Sequence, residues 1–255
     1  MRISMIGAGN VATHIARALA SRHEIVQVFS RSMANAEALA RATGCPCATD
    51  SIAGITADAD FYIISVKDDA IASVVEQLPG NDAVWVHTSG SVPMSVFAGL
   101  RRSYGVLYPM QSFSKQIDVD FADVPLFVEG CDKATAEQIT TLAHDLSRSV
   151  FSADSDTRRR LHIAAVFSCN FANHMWALAD DVLREANIPF SAMLPLIRST
   201  VEKLSQLSPA ESQTGPARRL DYEVIQKHLS MLSGDCHTVY DTLTKSIIKK
   251  HHTIS

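Results

Sequence analysis

An α/β Rossmann-type domain with a parallel sheet, followed by an all-α domain, is the architecture this sequence predicts. Three observations carry that expectation. Short apolar runs alternate with helical patterns over roughly the first 130 residues. A glycine string, Gly7-Ala8-Gly9-Asn10-Val11-Ala12, stands directly after the first run, and from about Ser155 apolar residues step by three and four without a break. Near-continuous apolar strands separated by helices belong to a parallel sheet covered on both faces.

The elements follow in order. Ile3 to Ile6, Ile25 to Phe29, Phe61 to Val66, Ala83 to His87 and Val106 to Leu107 read as strands bounded by Gly, Asp or Ser. Between the first two, Val11, Ile15, Ala18 and Leu19 recur at helical spacing, with Asn10 placed to cap the helix start. Leu126 to Val128 and Val150 to Phe151 read as late strands around a helix from Thr135 to Leu146, extending the sheet. Leu161, Ala164, Ala165, Ser168, Phe171, Ala172, Met175, Leu178, Ala179, Val182 and Leu183 read as one long helix whose small residues admit a close neighbour. Asn187-Ile188-Pro189 ends it. A second helix runs from Met193 to Leu207 with Pro195 in its first turn, then a loop at Gln213 to Pro216, then helices near Tyr222 to Leu232 and Val239 to Ile248. The tail from Lys249 to Ser255 is expected to fray. The domains divide as 1–153 and 154–255.

Composition narrows the function. Lys and Arg number 23 against 27 Asp and Glu, a net charge of −4, so no basic excess drives binding to nucleic acid. No apolar run approaches the roughly 20 residues of a membrane span, and Gly7 comes too early for a signal peptide's apolar core. Cys45, Cys47, Cys131, Cys169 and Cys236 fit neither a disulfide framework nor a zinc site, so reduced thiols in a cytoplasmic protein, with no bound metal, are expected.

The glycine string has the spacing of a dinucleotide fingerprint in its proper setting, after a strand and opening a helix. Gly7 permits the tight turn, Gly9 lets the backbone approach a pyrophosphate, and Ala12 lets the helix pack close. Ala8, Asn10 and Val11 complete the loop whose N–H groups face the phosphates. The second strand runs into Ser30-Arg31-Ser32 with no carboxylate to repel a 2′-phosphate, so NADP is expected over NAD. The alternative is that Ser32 only caps the next helix and Arg31 is a solvated surface residue. Ligands in open α/β sheets bind beyond the carboxyl ends of the strands, which places Ser65, Val66, Lys67, His87 and Thr88 towards the nicotinamide half. Asp68 and Asp69 read as caps of a helix beginning at Ala70.

The strings GAGNVA, SRS, ISVKDDAI, HTSGS and YPMQSF resemble a family of provisional NADP oxidoreductases with a Rossmann-like N-terminal domain and a helical domain of unassigned function. Leu161 to Phe167, Asn170, Leu194 to Ile197 and the stretch from Thr214-Gly215-Pro216 through Arg219 and Asp221 to His228-Leu229 follow its pattern too, so the resemblance covers nearly the whole chain. It implies the superfamily of pyrroline-5-carboxylate reductase, ketopantoate reductase, the β-hydroxyacid dehydrogenases and deazaflavin-linked NADP reductases. It further implies a second domain like the C-terminal domain of 6-phosphogluconate dehydrogenase, commonly a homodimer contact. The chain departs from the family at Lys67, often Pro, at Tyr108, often His, and at Leu220, often Gly.

Catalytic residues are less legible. The β-hydroxyacid dehydrogenases carry a lysine four residues before an asparagine that Asn170 matches; here that position is Val166. At about 100° per residue, His162, Cys169 and Asn173 share a meridian with Asn170 beside it. His162 and Asn170, with His87, are the candidates for proton transfer and carbonyl orientation. A satisfied helix–helix contact remains the alternative. Thr214, Gly215, Pro216, Arg219 and Asp221 could hold a carboxylate or form a structural network. NADP-dependent oxidation or reduction of a small polar metabolite is the expected function; a non-catalytic NADP-binding sensor or scaffold is the alternative.

Overall fold

Among the described residues, 1–78 and 80–252 of the computed structural model, eight strands form one sheet. They are β1 (Arg2–Ile6), β2 (Glu24–Phe29), β3 (Ala48–Thr49), β4 (Phe61–Ile64), β5 (Val84–His87), β6 (Ser103–Pro109), β7 (Leu126–Gly130) and β8 (Val150–Ser152), in the order β3-β2-β1-β4-β5-β6-β7-β8. The chain reverses strand order beside β1, the switch point where such sheets bind nucleotides.

Neighbouring side chains on one strand serve opposite faces. Ile3, Met5, Ile63, Val86 and Leu107 pack in one cluster with helices α1 (Asn10–Leu19), α2 (Met33–Thr43) and α4 (Lys133–Leu146). Ile6, Tyr62, Ile64 and Trp85 pack in another with α3 (Asp68–Gln77) and Phe97. Two apolar faces explain why the strands read as unbroken apolar runs.

The structure departs from expectation at several places. β7 runs antiparallel to β6, and β8 is parallel to β7. The β6–β7 connection holds only the short 3-10 turn Phe121–Asp123, with no helix to carry the chain to the opposite edge, so β7 starts where β6 ends. β6 extends well beyond Val106–Leu107, because Gly105 and polar Ser103 hid its start. The N-cap of α1 is Gly9 without a side-chain bond, and Asn10 is the first helical residue. α3 begins at Asp68, not Ala70, leaving both aspartates in its first turn, where carboxylates suit the helix dipole.

The long helix is also interrupted. α5 (Ser155–Ala165) is followed by a π-helical turn, Val166–Phe171, and then α6 (Ala172–Glu185). Bonding from i to i+5 accommodates extra residues, so the 100° spacing that placed His162, Cys169 and Asn173 on one meridian does not hold through this segment. Two compact units divide the chain, Met1–Asn170 and Phe171–Ser255, so α5 belongs to the first.

The second unit holds α6, α7 (Leu194–Glu202, with Pro195 in its first turn), α8 (Pro216–Arg219), α9 (Tyr222–Met231) and α10 (Gly234–His252). α10 continues through Lys249–His252 where fraying was expected; four basic residues in its last turn complement the helix dipole. Thr253–Ser255, the rest of that tail, lie outside the described residues. Leu220 sits at φ 57, a left-handed conformation costly for a branched side chain and free for glycine. Leu220→Gly is therefore expected to raise stability by roughly 1 kcal/mol, read by urea denaturation. An unchanged midpoint would refute strain at this residue.

Candidate active site

The carboxyl ends of β1, β2, β4 and β5 form the crevice. Gly7 N–H donates to Phe29 O at 2.8 Å, turning the chain between β1 and β2. Gly7 has φ +128, and a Cβ there would lie 2.1 Å from Ser65 O at the end of β4. No other residue fits. At Gly9 a Cβ would meet nothing within 4 Å, so the backbone presents an open face at the mouth of the loop. Ala8 is buried, Ala12 packs in the core, and the first turn of α1 carries no acidic side chain. The first-turn amides of a helix have no partner within the helix, the feature a diphosphate uses.

A strap from the β6–β7 connection lies on this loop. Asn10 Nδ2 donates to Phe113 O at 3.0 Å and His14 Nε2 to Ser114 O at 3.0 Å, while Lys115 Nζ donates to Ala8 O at 2.8 Å. The Phe113 ring stacks on Phe121, centroids 5.6 Å apart, and meets His14 at a tilt, 4.9 Å. Sequence reasoning missed Lys115. The YPMQSF string just before it was the available signal, but nothing local tied it to a loop a hundred residues earlier.

At the end of β2, Ser30 is half-buried and Arg31 and Ser32 are exposed. Ser32 does cap α2, its hydroxyl accepting from Asn35 N at 3.4 Å, and Ser30 Oγ accepts from Ser32 N. No carboxylate stands in this turn, and the Arg31 side chain is open to solvent.

Ser65 and Thr88 are buried side by side, Thr88 Oγ1 donating to Ser65 Oγ at 3.1 Å. Val66 is half-buried and Lys67 exposed before α3. His87 has no solvent exposure. Ser89 N donates to its Nδ1 at 3.2 Å, leaving the proton on Nε2, which makes no hydrogen bond. Burial, then the charge of Arg158, lowers its pKa to about 3. A group so held is neutral at physiological pH. Its depressed pKa stabilises the fold above about pH 6.5 and that contribution is lost as pH falls towards 3, at up to roughly 1.4 kcal/mol per pH unit. His87→Gln is expected to flatten stability against pH between 6.5 and 4; an unaltered slope would remove His87 as the cause.

The loop after β5 is fastened from beneath. Arg158 on α5 is fully buried; its Nε donates to Ser89 O at 3.2 Å, one terminal nitrogen to Val92 O at 2.7 Å, and the other pairs with Glu129 of β7. Ser155 N and Oγ also donate to Glu129, and Ser91 Oγ donates to Asp68. Above this loop, Tyr108 Oη and His162 Nδ1 lie 3.3 Å apart, with rings edge-on at 6.2 Å. Cys169 and Asn170 are exposed on the π-turn.

In the second unit, Asp221 caps α9 by accepting from Val224 N at 3.3 Å, and Gly215 takes φ +103 before Pro216. That favours the structural reading of this cluster. His228 Nδ1 bonds the Tyr240 hydroxyl at 2.8 Å. Among the described residues no cluster of metal-ligating side chains occurs.

A provisionally named NADP oxidoreductase of Bacteroides fragilis is 44% identical, with 97% of this chain and 98% of that chain covered and a TM-score of 0.90. The chain belongs to that NADP oxidoreductase family. A family profile described as coenzyme F420-dependent NADP oxidoreductase matches residues 2–87 of this chain, and a domain of unknown function, DUF2520, matches residues 124–247. A Thermotoga maritima protein is 21% identical over 98% of this chain and 100% of its own, TM-score 0.80. An imine reductase of Myxococcus stipitatus in complex with NADP+ is 16% identical over 98% and 96%, TM-score 0.67, a likeness of fold. No curated protein matches the chain.

Proposed function

We propose that this oxidoreductase binds NADP(H) in the crevice of its first unit and uses it to reduce or oxidise a small polar metabolite. The observation that carries the reading is the pair of glycines: Gly7, where only glycine fits, beside Gly9, whose open face leaves room for a diphosphate. Ala8, Asn10 and Val11 contribute the surrounding loop and helix start, and Lys115 adds a cation against it. Ser30, Arg31 and Ser32 hold the 2′-phosphate, the guanidinium by charge and the hydroxyls by hydrogen bonds. Ser65, Val66, Lys67 and Thr88 line the nicotinamide end. Bound there, the nicotinamide supplies or takes up a hydride. His162 serves proton transfer, Asn170 orients the substrate's polar atom, and neutral His87 packs beneath the site.

Calorimetry tests the cofactor. NADPH is expected to bind the wild type more tightly than NADH, and Arg31→Asp to abolish that preference; absence of NADPH uptake by folded protein overturns the reading. Turnover is sought with keto acids, cyclic imines and flavin-type acceptors. Binding without turnover across that panel favours the sensor.

The protein is further proposed to act as a homodimer through its second unit. Among the described residues of that unit only Ala217, Ile225 and Thr244 are buried, while Leu196, Val201 and Met231 are 64%, 58% and 78% exposed. An apolar groove of about 710 Å³, lined by Met175, Val182 and Leu243 among others, adds to this uncovered surface. Apolar area on this scale marks an interface. Sedimentation is expected to give twice the chain mass of 27.7 kDa; a monomer at micromolar concentration refutes it. No helix among the described residues is long and apolar enough to cross a membrane. The five unpaired cysteines suit a reducing cytoplasm.

A further inference from the structure

We infer that Tyr108 and His162 form a proton-delivery pair, Tyr108 giving its phenolic proton to the substrate oxygen or nitrogen and His162 restoring it. The inference rests on the cofactor reading above.

Position comes first. In the sheet register Val106 stands level with His87, the last residue of β5, so Tyr108 projects beyond β5 to the level of the loop that follows Thr88. That loop is shaped to receive it. A Cβ at Gly90 would lie 2.8 Å from Tyr108 Cζ and 2.9 Å from His162 Nδ1, so glycine there allows the backbone to touch both rings. Arg158 holds the same loop through Ser89 O and Val92 O. The pair is thus built into the crevice edge that bears Ser65 and Thr88.

Chemistry comes second. Tyr108 is 8% exposed, and burial raises its pKa, partly opposed by Arg158, so the phenol stays protonated and able to donate. The titratable groups around it are Arg158 on α5, Asp68 on α3 and Cys169 on the π-turn, besides His162. A lone phenol releases its proton reluctantly near neutrality. An imidazole within hydrogen-bond distance changes this, because it returns a proton as the phenolate forms.

In the reducing direction, NADPH bound as proposed would supply the hydride to the substrate carbon. The Tyr108 O–H bond breaks as a new O–H or N–H bond forms on the substrate, and the phenolate takes the proton from His162 Nδ1. His162 Nε2 takes up one from water in the same step, so the ring is never left as an imidazolate, and tautomer exchange later returns the proton to Nδ1. One hydride and one proton are consumed per C=O or C=N bond reduced.

The test reads the His162 C2 proton by NMR, assigned by its disappearance in His162→Gln. NADP+ and adenosine 2′,5′-bisphosphate, which lacks the nicotinamide, are titrated in turn. Both are expected to bind, and only NADP+ to move the His162 signal. Tyr108→Phe should keep nucleotide affinity within about twofold, keep its thermal transition, and shift the His162 C2 signal in the free protein. With any substrate that turns over, Tyr108→Phe should lower kcat at least tenfold, against the roughly 10²–10⁴ that general acids contribute. NADP+ binding that leaves His162 unmoved, or undiminished kcat in Tyr108→Phe, overturns the pair. If neither nucleotide binds, the cofactor reading has failed and the pair's role falls with it.

Discussion

Gly7→Ala is expected to lose roughly 2–6 kcal/mol of stability, combining the strain of a positive φ with an impossible contact. The added methyl would sit 2.1 Å from the Ser65 carbonyl oxygen, a main-chain atom that cannot turn aside. For a protein of this size the loss corresponds to a fall in Tm of roughly 5–20 °C. Gly9→Ala provides the contrast. Its methyl meets nothing within 4 Å and its φ is an ordinary −78, so the folded protein should keep its Tm within a few degrees. NADPH affinity should nevertheless fall, because the methyl occupies the face left for the diphosphate. Equal Tm losses in the two variants would mean the glycines share one structural task. Unimpaired NADPH binding by Gly9→Ala would show that the open face is not where the nucleotide lies.

Arg158→Met should cost about 3–5 kcal/mol, the range for breaking a buried ion pair on one side. The guanidinium is fully buried, and its removal strips the Glu129 carboxylate of its countercharge and two carbonyl oxygens of their donor. Arg158→Lys should not rescue, since one ammonium cannot span the positions a planar fork reaches. The double variant Arg158→Met with Glu129→Gln should be more stable than Arg158→Met alone, because the stranded charge is gone. NADPH affinity should fall in every Arg158 variant as the Ser89 to Val92 loop loosens. An Arg158→Met protein within 1 kcal/mol of wild type would refute the clamp.

The legible parts of this molecule are those governed by local period and local steric need. Ile3 to Ile6 and Phe61 to Ile64 stand out because two covered faces make every residue apolar, and the glycine loop stands out because strand, turn and helix coincide within a dozen residues. β3 is two residues long and carries no period. The direction of β7 depends on its connection, not on its own side chains. The π-turn defeats any wheel drawn at constant pitch. Arg158 stands beside Arg159 and Arg160 in what reads as a solvated run, yet it alone is buried, because its partners Glu129, Ser89 and Val92 lie in three distant segments. Lys115, Tyr108 and His162 likewise meet their partners only once the chain has folded.

The reversal at β7 has a consequence for how nucleotide grip can diverge within such proteins. A parallel strand would have sent the chain out of the crevice through a crossover; the antiparallel one keeps residues between Pro109 and Leu126 beside the glycine loop, as a visor tied down by Asn10 and His14. If the nucleotide lies on the glycine loop as proposed, substitutions in the visor would change how fast it enters and leaves while the glycine fingerprint itself stays untouched.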